Sequence, residues 1–189
     1  MNMVNFEKIR QDLQGYDQLR EQLIKKSRDV LKLSKQLIYA VHRSEAENAK
    51  KLSKEINEEF ETLNDIAKKN PRLNKEGSYK VAIQEYVEAI LYLNFILDGK
   101  LKEIDVPSNL FILGLADLPG ELGRRAVYLA GKGKYKEVIK IKDAVDNIYG
   151  ELLKLDLRDN EARRKTDAVK YELRKLEDLV LDLKLKEKI

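Results

Sequence analysis

Apolar residues recur at steps of three and four along almost the whole chain, and little interrupts them. The first such line is Phe6, Ile9, Leu13, Tyr16, Leu19, Leu23, Val30, Leu33, Leu37, Ile38 and Val41. That spacing puts them on one face of an α-helix. Nine glycines and three prolines in 189 residues leave few places where a helix must stop. No run of alternating β-branched residues is long enough to predict a strand. The chain is therefore expected to be all-α, an antiparallel bundle of six or seven mostly long helices.

The stop signals set the predicted boundaries. The first helix runs from about Val4 to Arg43. Ser44 with Glu47 three residues on has the capping-box pattern for a second helix to about Lys69, which Asn70-Pro71 ends. Arg72 to Gly77 is polar and predicted to be a loop. A third helix covers about Ser78 to Leu97 and stops at Asp98-Gly99. Pro107 suits a first helical position, and a fourth helix runs from there to about Ala130, with a kink or break expected at Pro119-Gly120. A fifth covers about Tyr135 to Lys154. Asp159 or Asn160 caps a last helix reaching about Lys186, with Val169, Leu173, Leu176, Val180 and Leu183 facing inward. There is no internal repeat or low-complexity linker, so residues 1–189 are expected to form one domain.

Composition excludes several kinds of chemistry. Without cysteine there is no disulfide, thiolate metal site or cysteine nucleophile. One histidine and no glycine-rich phosphate loop argue against catalytic triads and P-loop chemistry. The 43% apolar residues are interleaved with 37% charged ones, so no membrane-spanning run is expected. The N-terminus lacks the order of a signal peptide, and a reducing, cytoplasmic setting is expected. A formal net charge of +4 is too mild to imply nucleic acid by itself.

Carboxylates in apolar surroundings are the chemical signal. Glu85 and Glu88 share a face of the third helix, amid Val81, Ile83, Val87, Ile90 and Leu91. Asp117 and Glu121, four apart, do the same on the fourth helix if it survives Pro119. Like charges in such a setting lose hydration and repel unless something neutralises them. If the third and fourth helices pack antiparallel, the four could converge on a divalent cation. An ion there could polarise a phosphodiester and activate water for in-line attack. The alternative is that the Glu pair is a solvated surface and that Asp117 caps a helix starting at Pro119. A di-iron bundle would need Glu-x-x-His pairs, which His42 does not form; it is expected to be a helix-end or packing residue. Basic clusters stand at Arg20, Lys25, Lys26 and Arg28, at Arg124-Arg125, and from Lys132 to Lys136. Each is a solvated face by default, but Arg124-Arg125 lies one turn after Glu121, where it could hold a phosphate.

These residues carry a family resemblance. Gln84-Glu85-Tyr86-Val87-Glu88-Ala89, followed by Phe95-Ile96, resembles the catalytic helix of the translin-associated factor X branch of the translin family. Leu113-Gly114-Leu115-Ala116-Asp117-Leu118-Pro119-Gly120-Glu121-Leu122 resembles its second acidic motif. Lys26-Ser27-Arg28-Asp29, Ser34-Lys35 and His42-Arg43 look like the family's first helix, and Lys170-Tyr171-Glu172 through Asp182-Leu183 like its last. The resemblance implies a seven-helix fold, a hollow homo-octamer, and Mg²⁺-dependent endonucleolytic cleavage of RNA, with Mn²⁺ as a substitute. It implies that Glu85, Glu88 and Asp117 carry the activity; the spacing of Glu121 from Asp117 adds it as a further candidate metal ligand. Arg20 falls where translin has an arginine tied to nucleic-acid binding. The short connection between the third and fourth helices suggests an archaeal-type version serving as its own partner. A non-catalytic oligomer binding RNA or single-stranded DNA is the alternative, and a helical scaffold a third. Self-association is also expected from the third helix, where Val87, Ile90, Leu91, Tyr92, Leu93 and Phe95 point in too many directions for one intramolecular face.

Overall fold

The computed structural model describes residues 4–188. Among them there are six α-helices and no strand: α1 (Phe6–His42), α2 (Ala46–Lys68), α3 (Gly77–Asp98), α4 (Ser108–Gly131), α5 (Tyr135–Leu153) and α6 (Asn160–Leu185). Each end has a local cause. The Asn5 side chain accepts from the Lys8 backbone N–H, and the Asp159 side chain from that of Ala162. Gly99 closes α3 with φ of 67°, a left-handed conformation that costs glycine little.

Three junctions differ from expectation. Ser44 does not cap α2. It has φ of 60°, the next residue Glu45 takes the cap position, and the Ser44 hydroxyl accepts from Arg125 instead. The segment after Asn70 is a 3₁₀ turn, Pro71–Lys75, because the Asn70 carboxamide accepts from the Arg72 N–H and starts a turn. Finally, α4 runs unbroken through Pro119. Leu118, Pro119 and Leu122 are buried together there, and their packing offsets the lost backbone bond.

α3 is the centre of the molecule, touching α1, α2 and α4, while α4 also carries α5 and α6. Leu91 and Tyr92 are fully buried and Leu93 nearly so. Most apolar directions of α3 are therefore taken up by three neighbours inside the chain, while Val81 and Leu97 stay exposed. Large side chains buried this way stabilise by roughly 1.5–3 kcal/mol each. What α1 leaves exposed is its beginning: Phe6, Ile9 and Leu13 are 70%, 47% and 51% exposed, and its buried face starts at Leu23.

Helix directions fix the site. Lys26 with Glu59, and Tyr86 with Asn57, set α2 antiparallel to both α1 and α3. Arg20 with Glu76, Lys35 with Glu85 and His42 with Tyr92 set α1 and α3 parallel. α3 and α4 are parallel too, not antiparallel: Gly114 meets Gln84 and Val87, and Arg125 and Leu129 share a groove with Phe95 and Ile96. The reason is the connection between them. α3 is about 33 Å long, and residues 99–107 in extended form can carry the chain back roughly 30 Å.

Candidate active site

The parallel pairing of α3 and α4 brings the two acidic motifs level. Gly114 sets their spacing. A Cβ there would lie 2.6 Å from the Gln84 backbone oxygen and 2.7 Å from Val87 Cβ, so only glycine lets the helices approach this closely. One turn further along, Glu85, Glu88, Glu121 and Arg124 line a cavity of about 340 Å³, closed on the α1 side by Lys35, Ile38 and Tyr39.

The carboxylates are held differently. Asp117 accepts from Lys165 Nζ of α6 at 2.5 Å, and the same ammonium donates to Gln84 Oε1 at 3.2 Å. Glu121 is bound to His42 Nε2, while Nδ1 of that ring lies 3.0 Å from the buried Tyr92 hydroxyl. The imidazole holds the Glu121 carboxyl below its usual range. Glu85 has only Lys35, at 3.9 Å, and burial raises its pKa. Glu88 is 9% exposed and has no hydrogen bond or ion pair among the described residues. Burial, reinforced by the charges of Asp117, Glu85 and Glu121, pushes it from 4.5 up to about 8.

An unpartnered buried carboxylate facing three others is the donor chemistry a hard divalent cation takes, and in that respect Glu88 and Glu85 fit one. Among the described residues, however, no three such side chains are drawn together as a metal-ligand set. Two of the four acids are turned onto basic side chains of the protein, Asp117 onto Lys165 and Glu121 onto the His42 imidazole.

The basic residues are less concentrated than the acids. Arg124 lines the acidic cavity. Arg125 is on its far side, donating to the His42 carbonyl and to Ser44 Oγ, both at 3.3 Å, with its guanidinium 5.2 Å from the Tyr128 ring centre. Arg20 is paired with Glu76 at 3.0 Å, near the other end of α1, about 22 Å along the helix from Lys35. Lys35, His42, Gln84 and Lys165 are site residues that sequence reasoning missed. Lys35 precedes Ile38 by three residues and His42 follows it by four, so both share its helix face and could have been found once α1 was set beside α3. For Lys165 the sequence carries no signal, since it is one cation among many on a polar helix.

An all-α chain with a carboxylate centre between two parallel helices is the class defined here. A translin family model matches residues 18–187, and the chain belongs to that family. It is 30% identical to an uncharacterised protein of Methanocaldococcus jannaschii, covering 93% of this chain and 82% of that one. Two solved structures share the fold. Apo-NeC3PO has a TM-score of 0.88 at 25% identity, covering 96% of this chain and 98% of its own. AfC3PO in complex with duplex RNA has a TM-score of 0.85 at 23% identity, covering 97% and 98%.

Proposed function

We propose that this chain is an RNA-binding, self-associating member of the family that cleaves RNA endonucleolytically with Mg²⁺, Mn²⁺ serving in its place. The observation that carries the reading is Glu88, a buried carboxylate kept beside Glu85, Asp117 and Glu121 at an energetic cost the fold does not relieve. A divalent cation held by Glu85, Glu88 and Asp117, with Glu121 near, would supply a Lewis acid for the phosphodiester and lower the pKa of a water. The chain supplies the rest. Arg124 faces the cavity as a phosphate contact. Lys165 orients Asp117, and His42 orients Glu121. Similarity to a protein solved with duplex RNA supports RNA as the polyanion, and the family resemblance supports a hollow homo-octamer.

The test is labelled RNA incubated with Mg²⁺ or with chelator. Glu85→Ala, Glu88→Ala and Asp117→Ala should each abolish cleavage and leave binding largely intact, with Glu121→Ala milder. Parent-rate cutting by all three variants would sink the assignment. One observation favours a second reading, a non-catalytic oligomer binding RNA or single-stranded DNA: Asp117 and Glu121 already have protein partners. Metal-independent binding with no cleavage at any Mg²⁺ or Mn²⁺ concentration would select it.

A further inference from the structure

Lys165 is set apart from the cations beside it on α6. Arg163 and Arg164 are exposed. Lys165 stands one turn from the buried Ala162 and Val169, and its side chain is 18% exposed. An ammonium drawn in this far needs acceptors, and it has them on two other helices. Asp117 of α4 lies at 2.5 Å and Oε1 of Gln84, a buried neutral residue of α3, at 3.2 Å. The ion pair takes Asp117 away from the other acids. Glu85, Glu88 and Glu121 line the cavity between α3 and α4, while Asp117 is turned out of that lining onto Lys165. The charges of Asp117 and of Lys165 nevertheless both act on Glu85 and Glu88, so the four groups share one electrostatic centre.

An ammonium on Asp117 and a divalent cation on the same carboxylate are like charges in a partly buried place, and they repel strongly there. We propose that Lys165 is an exchangeable counter-ion of this centre. It holds Asp117 until that carboxylate binds a divalent cation, then keeps Gln84 as its acceptor and turns its freed N–H groups to the RNA phosphate. An ammonium has three donors, enough for both. The proposal rests on the reading of the centre as a metal-dependent RNA site, and adds to it an exchange that ties metal loading to phosphate contact. An orienting lysine and an exchangeable one differ in sign. Loss of a lysine that only orients Asp117 loosens a ligand and weakens metal binding. Loss of one that competes for Asp117 strengthens it.

The experiment titrates the full chain with Mn²⁺ in the absence of RNA, reading the free ion by electron paramagnetic resonance. Lys165→Met keeps the apolar stem and removes the charge, and should bind Mn²⁺ about tenfold more tightly than the parent. Lys165→Arg keeps the charge and should bind no more tightly than the parent. Gln84→Leu removes the ammonium's second acceptor while leaving the ion pair, and should weaken Mn²⁺ binding about fivefold or more. Combined with Lys165→Met, it should have no such effect. Gln84→Leu also serves as the test if Lys165→Met does not fold. At saturating Mn²⁺, Lys165→Met should cut labelled RNA more slowly than the parent despite its tighter metal. Mn²⁺ affinity in Lys165→Met at or below the parent's would overturn the exchange and leave Lys165 an orienting contact. Unchanged affinity in Gln84→Leu would overturn it too, as would parent-rate cutting by Lys165→Met. Tighter Mn²⁺ binding by Lys165→Met with no cutting by any protein, the parent included, would sink the nuclease reading and leave the competition for Asp117 standing. No Mn²⁺ bound by the parent or any variant would overturn both.

Discussion

Glu88 ties stability to pH with a sign opposite to that of most acids. A carboxyl whose folded pKa is raised binds its proton more tightly in the native state, so the contribution is full below about 4.5 and lost as pH rises toward 8. Glu85 is shifted the same way by burial and adds to the trend. Glu121, held down by His42, acts oppositely, losing its contribution as pH falls below the usual carboxylate range. The melting temperature of metal-free protein should therefore fall between pH 5 and pH 8, a loss on the order of a few kcal/mol. Glu88→Gln should flatten that fall and be the more stable protein at pH 8. Mg²⁺ should raise the melting temperature of the parent more at pH 8 than at pH 6, since a ligand must give up its proton to bind. Thermal scans across this range decide the matter: a melting temperature that rises from pH 5 to 8 in both proteins would show that Glu88 is solvated.

Between elements, the α3–α4 contact does most to place the chemistry. Gly114→Ala would gain up to about 1 kcal/mol of helix propensity but force a methyl against the Gln84 backbone oxygen, and overpacking of that kind costs roughly 1–3 kcal/mol. The variant should be less stable and should cut RNA more slowly than its lost stability explains, because α4 moves and Asp117 and Glu121 move with it. Full activity at a temperature where the variant is folded would show that the spacing is not set there. The same contact marks how far the sequence could be read. Periodicity located all six helices to within a few residues, and the acidic motifs pointed to Glu85, Glu88, Asp117 and Glu121. The capping box at Ser44 misled, because a tertiary hydrogen bond from Arg125 competes for that hydroxyl. Helix direction was not legible, since nothing local in residues 99–107 says that they lead the chain back along α3. His42 and Lys165 were missed for the same reason: their roles depend on partners 79 and 48 residues away in the chain.

For the whole molecule, most apolar residues of α3 are buried inside the chain, with Val81 and Leu97 left exposed, so other surfaces have more to offer self-association. Phe6, Ile9 and Leu13 form an exposed apolar line on the first turns of α1, where the core has not yet begun, and such lines on soluble proteins mark contact surfaces. Ile9→Asp with Leu13→Asp should shift sedimentation toward the 22.0 kDa chain while leaving its helicity unchanged. Assembly identical to the parent's would place the interface elsewhere.

The contact between Asp117 and Lys165 also bears on synthesis. On the proposed reading the chain is made on a potential substrate, since while the ribosome is still working the new chain is within reach of its own message. Here α6 arrives last, and until Lys165 emerges Asp117 has no cation to hold it and α4 lacks one of its packing partners. The centre is thus unfinished through most of translation, and chains stalled before α6 is released should leave their messages uncut.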